Sequence, residues 1–279
     1  MSYLRLALLT LLTMIAFAGN SVLCRIALKE TPIDPATFTS IRLISGAVVL
    51  WVLASLFRAG KSGSGNWWSA FALFAYAAGF SFAYVTLPAA TGALLLFGAV
   101  QATMIGYGLW RGERQNKQQT FGLMLALAGL IGLLLPGLSA PPLTGSVLMI
   151  IAGVAWGVYS LRGKGIAGDP TRVTAGNFLR GMVFAVLLSV LFINSANLDA
   201  VGVGYAIASG AVASGMGYAL WYSVLPVLQA TTAATVQLSV PVIAALGGIL
   251  FLGEALTLRF ILASVAILGG IALVILKKT

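Results

Sequence analysis

The sequence predicts an all-α membrane protein of ten transmembrane helices, built as two inverted five-helix repeats around a central cavity. Three observations carry this. Hydrophobic residues make up 60% of the chain and charged residues 8%, against about a quarter charged in an ordinary globular domain. The charges fall between uncharged runs whose lengths suit one or two spans each. The same ordered set of landmarks also appears twice along the chain.

The first helix is placed at 4–28. Residues 6–24 carry no charge, 19 positions, enough for one span. Arg5 followed by Ala16-Phe17-Ala18 also has the form of a cleavable secretory signal, but the apolar character continues to Leu28 and cleavage would break the repeat, so an uncleaved helix is expected. The second helix, 35–57, follows Asp34-Pro35 and is apolar apart from Arg42. Residues 62–110, 49 without a charge, are too long for one span. Leu87-Pro88-Ala89-Ala90 divides them into 67–87 and 90–110. The 44 uncharged residues 118–161 divide at Pro136 to Pro142 into 119–136 and 143–161. Helix seven is set at 173–193 and contains Arg180. The 54 uncharged residues 200–253 divide at Leu225-Pro226-Val227-Leu228-Gln229 into 201–223 and 232–252, and the tenth helix is 258–276. These runs are apolar all round, which excludes the alternating pattern of a β-barrel.

The landmarks repeat in order. Each half runs single helix, single helix with an internal Arg (Arg42, Arg180), fused pair, single helix. Arg25 then Asp34-Pro35 is answered by Arg162 then Asp169-Pro170, and Gly112-Glu113 by Gly253-Glu254. One transmembrane domain is expected, with repeat 1 at about 1–137 and repeat 2 at about 142–279. Five being odd, the second copy inserts upside down, the architecture of carriers that alternate between two openings. An evolutionary relic, or a duplicated channel, would carry the same marks.

Short loops on the N-terminal side hold Arg5, Arg58, Lys61, Arg111, Arg114, Lys117, Arg162, Lys164, Arg172, Lys277 and Lys278, while the opposite side holds Arg25, Lys29 and Arg259. Eleven against three puts both termini in the cytoplasm and makes the formal charge of +10 a topology signal. A nucleic-acid partner is excluded for want of a polar face to display a basic patch. The expected partners are a lipid bilayer and a small-molecule solute, the chain a monomer and the location a bacterial inner (plasma) membrane.

Gly19-Asn20-Ser21 to Arg25, Ile41-Arg42-Leu43, Pro241 and Gly253-Glu254 before a Gly-rich last helix resemble the EamA-type drug/metabolite transporters, across essentially the whole chain. Within that family the aromatic-rich first and sixth helices look most like the YddG-type amino-acid exporters. The resemblance implies a basket of helices whose cavity is lined by helices 1, 3, 4, 6, 8 and 9, with 5 and 10 peripheral.

Composition narrows the chemistry. The sequence has no histidine and one cysteine, Cys24, so a disulfide within the chain is excluded. Every carboxylate falls at a predicted helix end or in a loop. Paired intramembrane Asp, a Ser–His pair and a His/Glu metal set are all missing, so neither an enzyme, a metal nor a cofactor is expected. Nor is there an acid in the middle of helix 1 to hold a lipophilic cation, which favours neutral or zwitterionic solutes; the resemblance implies amino acids first. A carrier of sugar nucleotides or phosphorylated metabolites would want several cavity cations, and only Arg42 and Arg180 are embedded. A buried membrane cation marks function by default; because both follow an Asp-Pro, structural pairing with Asp34 and Asp169 is the favoured reading. The candidate substrate-binding groups are the amides Asn20, Gln101 and Gln237, which could orient an amino-acid head group, and an apolar wall of Phe17, Phe80, Tyr84, Trp156, Tyr159, Tyr218 and Trp221, with core packing the competing role for each aromatic. Trp51, Trp67, Trp68 and Trp110, near helix ends, read as interfacial anchors.

Overall fold

The computed structural model describes residues 3–56, 63–110, 112, 116–135, 140–163, 168–225, 236–237 and 239–275. Glu113, Pro136, Pro226 to Gln229, the expected start of helix nine at 232 and the basic residues Arg58, Lys61, Arg111, Arg114, Lys164, Lys277 and Lys278 lie outside them.

Among the described residues the chain forms ten helical rods and no strand. They are α1 (Tyr3–Glu30), α2 (Pro35–Leu56), α3 (Trp67–Tyr84), α4 (Ala89–Trp110), α5 (Lys117–Leu134), α6 (Leu143–Gly163), α7 (Pro170–Leu191), α8 (Ala200–Val224), α9 (Ser239–Leu252) and α10 (Leu258–Ile275). Six of them, α1, α2, α4, α6, α7 and α8, are long and apolar enough to cross a membrane, and α9 and α10 are shorter apolar helices. Their boundaries follow local chemistry. Asp34 accepts from the N–H groups of Ala36 and Thr37, and Asp169 from that of Arg172, so each Asp-Pro is an N-cap with proline in the first turn. Helix seven accordingly begins at Pro170, three residues before the expected 173. Helix three ends at Tyr84 rather than 87. Asn116 and Gln119 form a reciprocal capping box at the start of α5. Gly253 ends α9 with φ +61°, its N–H bonded to the Ile249 carbonyl, the left-handed cap that favours glycine.

Bonds between helix ends sort the rods into two faces. Arg25 at the end of α1 bonds the carbonyls of Tyr84 and Val85 after α3. Ala89 at the start of α4 bonds Glu254 after α9, Asn197 before α8 bonds Asp34, and Arg259 at the start of α10 bonds the Leu135 carbonyl. These mark the far face. At the near face Asn66 before α3 bonds Asn177, Arg162 at the end of α6 bonds Asn66 and Ser69, and Gln118 at the start of α5 bonds the Leu273 carbonyl. The rods therefore run alternately up and down, and Tyr3 and Ile275 share the near face. Trp51, Trp67, Trp68 and Trp110 lie exposed at helix ends on that face.

The packing pairs are reciprocal. Helices α2 and α7, α4 and α9, and α5 and α10 meet directly, α3 packs on α6 as α1 does on α8, and α4 on α6 as α1 on α9. The α5–α10 contact is the most extensive. A Cβ at Gly129 would collide with Ala266, and one at Gly270 with the Gly122 carbonyl, so the two backbones touch through small residues.

The sequence carries no sign of one feature of α8. Ala208–Met216, the middle of α8, is a π-helix, flanked by α-helical Ala200–Ile207 and Gly217–Val224. At Gly210 a Cβ would overlap the Arg42 carbonyl and the Ser45 hydroxyl. The wide turn lets α8 press onto α2 there, and π-turns of this kind cluster at functional sites.

Candidate substrate pocket

Where α1, α3, α4, α6 and α8 converge, a small cavity is lined by the buried residues Phe17, Asn20, Tyr76, Phe80, Leu96, Phe97, Trp156 and Tyr218. Its free volume of about 10 Å³ holds about one water molecule, so a larger solute enters only if the helices part.

The wall is an aromatic box. Phe17 meets Trp156, Tyr218 and Trp221 edge-on at centroid distances of 6.1, 5.9 and 5.9 Å. Trp156 lies 4.9 Å from both Tyr76 and Tyr218. Such tilted and edge-on pairs are the favoured aromatic geometries.

Behind the box runs a buried polar chain. Ser209 donates to Asn20 Oδ1, Asn20 Nδ2 donates to the Tyr76 hydroxyl at 3.1 Å, and Arg42 Nη2 donates to the same hydroxyl at 2.9 Å. Arg42 Nε reaches Ser214 Oγ at 3.2 Å. Both serines are in the π-segment, so the irregular turn aims two hydroxyls of α8 at α1 and α2. The guanidinium lies 5.0 and 4.9 Å from the ring centres of Tyr76 and Phe80, within cation–π range. Arg42 is 1% exposed.

Of the residues singled out from sequence, Phe17, Asn20, Phe80, Trp156 and Tyr218 are on the wall. Tyr84, Tyr159 and Trp221 stand one layer out: Trp221 against Phe17, Tyr159 against Trp156, Tyr84 against Phe80 with its hydroxyl on the Ala89 carbonyl. Gln101 and Gln237 are buried but absent from the cavity lining. Tyr76, Leu96 and Phe97 complete the wall without being among the sequence candidates. Tyr76 precedes Phe80 and Tyr84 by one and two helical turns, a spacing that puts all three on one face. Arg42 was expected to pair with Asp34; instead Asp34 caps α2, about two turns away.

The expected equivalence of Arg42 and Arg180 is likewise corrected. Counted from the Asp-Pro caps, Arg42 is seven residues past Pro35, and the seventh past Pro170 is Asn177. Asn177 is buried and bonds Tyr159 of α6. Arg180, one turn on, bonds the carbonyls of Ser64 and Gly176 and faces Trp67.

At the far end of the bundle several helix ends are tied together. Arg25 Nε bonds Glu254 Oε1 at 3.1 Å, the other carboxylate oxygen accepts from Ala89 N–H at 2.8 Å, and Arg25 Nη1 bonds the Tyr84 and Val85 carbonyls at 2.9 Å. One ion pair thus joins the ends of α1 and α3, the start of α4 and the α9–α10 turn. The left-handed Gly253 cap lets the chain turn there, with Glu254 facing inward. A larger cavity of about 230 Å³ opens beside it at the helix ends, between Thr86, Pro88, Pro141 and Phe260, apart from the aromatic box.

Apolar rods long enough to cross a membrane, packed around an aromatic pocket, fit an integral membrane protein, and comparison with known proteins gives its class. The EamA-like transporter family matches residues 4–135 and again 143–276; the chain belongs to that family. An uncharacterized Pseudomonas aeruginosa protein is 58% identical over 275 residues, 98% of this chain and 96% of that one. An uncharacterized transporter of Archaeoglobus fulgidus is 26% identical over 97% of each chain. The threonine/homoserine exporter RhtA of Salmonella typhimurium is 32% identical over 153 residues, 53% of this chain and 51% of its own. A crystal structure with 21% identity shares the fold at a TM-score of 0.66, covering 94% of this chain and 96% of that one.

Proposed function

We propose that the protein exports small neutral or zwitterionic metabolites, amino acids first, by alternating access. The observation that carries this is the aromatic and amide-bearing pocket, whose wall is drawn from both halves of the chain: α1, α3 and α4 on one side, α6 and α8 on the other. A pocket shared by two units opens to either face when one unit rocks against the other. The two family matches, the alternating helix directions and the reciprocal packing support two inverted five-helix repeats around this site. The partial likeness to RhtA supports amino acids as cargo. The loop charges support a bacterial inner membrane with both termini in the cytoplasm, and the protein acts as a monomer.

The test is counterflow in proteoliposomes across a panel of amino acids, with threonine and homoserine first. Saturable exchange stimulated by solute on the opposite side supports the reading. Flux that rises linearly with concentration, without exchange, indicates a channel and overturns it.

A further inference from the structure

We propose that the pocket recognises a carboxylate, with the hydroxyls of Tyr76 and Tyr218 as donors and Arg42 as the counter-charge behind them. The inference rests on the transport reading above and names the chemical group of the solute that the site selects.

Around Arg42 hydrogen-bond donors outnumber acceptors. Arginine stays protonated, and Arg42 is fully buried. None of the five described acids pairs with it: Glu30 holds Lys29, Glu254 holds Arg25, and Asp34, Asp169 and Asp199 cap helices. Arg42 Nη1 is buried without a hydrogen bond, and so is the hydroxyl of Tyr218, which lines the cavity. Tyr76 accepts from both Asn20 and Arg42. Both lone pairs of its oxygen are then used, and its own proton is left to donate, to the neighbouring Tyr218 hydroxyl or to a bound group. Tyr218, one helical turn past the Ser214 that receives Arg42 Nε, has its hydroxyl beside that of Tyr76, within reach of a hydrogen bond to it, and lies near Arg42. The site therefore holds a positive charge and a surplus of donors with no anion to receive them. An uncompensated buried cation is costly, and a carboxylate reaching the two hydroxyls would accept their protons and neutralise the guanidinium behind them. Trp156 and Phe17, which pack on Tyr218, add aromatic rings of the kind that attract an ammonium, so the pocket offers groups for both charges of an amino-acid zwitterion.

The test measures binding to the purified full chain by thermal stabilisation, with threonine, threoninamide and benzoate as probes. Wild type is expected to bind threonine and benzoate, and threoninamide at least ten-fold more weakly. Arg42→Met should lower threonine affinity at least ten-fold and bring the threonine-to-threoninamide ratio near one. Tyr218→Phe should weaken threonine several-fold, and Arg42→Lys should keep part of the ratio, which a purely structural strut would not govern. Equal binding of threonine and threoninamide by wild type overturns the proposal, as does an Arg42→Met protein that retains the ratio, or the absence of any shift with either carboxylate. If Arg42→Met does not fold, the wild-type ratio and Tyr218→Phe decide. Carboxylate-dependent binding without exchange in proteoliposomes leaves this inference standing and removes the export reading. Exchange of threonine and threoninamide at equal rates does the reverse.

Discussion

Replacing Glu254 with glutamine should open the far face. In the structure the Glu254 carboxylate receives one bond from Arg25 and one from Ala89 N–H, with both charged side chains 11% exposed. Glutamine keeps an oxygen for Ala89 but surrenders the charge-assisted bond, worth about 1.5–3 kcal/mol. Opening carries the helix ends into water, where neither group depends on the other, so the loss falls on the closed state alone. The closed-to-open ratio should drop roughly ten- to hundred-fold. Cys24, the single cysteine, reports this directly. It is 0% exposed, adjoins Arg25 in α1, and its thiol meets Ser81 of α3, in the seam beneath the ion pair. A membrane-impermeant maleimide applied from the far side should label Glu254→Gln ten- to hundred-fold faster than wild type. The Arg25→Gln/Glu254→Gln double variant should label less than additively, because the two changes break one bond. An unchanged rate in a folded Glu254→Gln protein refutes the gate.

Gly210→Ala should lower thermal stability by about 1–3 kcal/mol, since its methyl group overlaps the Arg42 carbonyl; unfolding in detergent measures this, and Gly204→Ala, with open space around it, is the control. Asp34 has its pKa below the ordinary aspartate value, burial being outweighed by bonds from Thr37, Asn197 and Ala36. The unfolded pKa is thus the higher one, the stabilisation is present above it, and it fades as pH falls through the lowered folded value. Acid titration of stability should lose this component in Asp34→Asn. Counterflow should persist without a pH gradient and ignore the collapse of an imposed one; accumulation of solute against its gradient driven by protons alone would show that an acid reaches the pocket. A cytoplasm-specific reporter fused at Thr279 should be active, and silence with activity of an exported reporter would invert the topology.

The helix plan was readable because membrane spans are written in large units: runs free of charge, broken by Pro and Gly, have few alternative interpretations. What failed was finer register. Arg42 and Arg180 were matched as like residues, although position past the Asp-Pro cap matches Arg42 with Asn177. Asp34 looked like a partner for Arg42, yet two free N–H groups at a helix start claim a carboxylate first. The π-segment was invisible because its residues, Ala208 to Met216, are as small and apolar as any packed helix; only contact with α2 selects the wider turn. Leu96 and Phe97 carry no sign that distinguishes cavity wall from core. Tyr76 could have been found, one turn before two aromatics already selected.

The reciprocal packing has a historical meaning. Helices α2, α4 and α5 of one half each rest against their own counterparts α7, α9 and α10 of the other, and the mixed contacts occur in matched pairs. That is the form of an isologous interface, in which one patch meets a second copy of itself across a two-fold axis. The peptide joining the halves adds little to the geometry, since the surfaces already specify it. On the proposed two-repeat plan, the single chain keeps the symmetry of a homodimer of five-helix subunits, with Arg42 in one half where the other has Asn177.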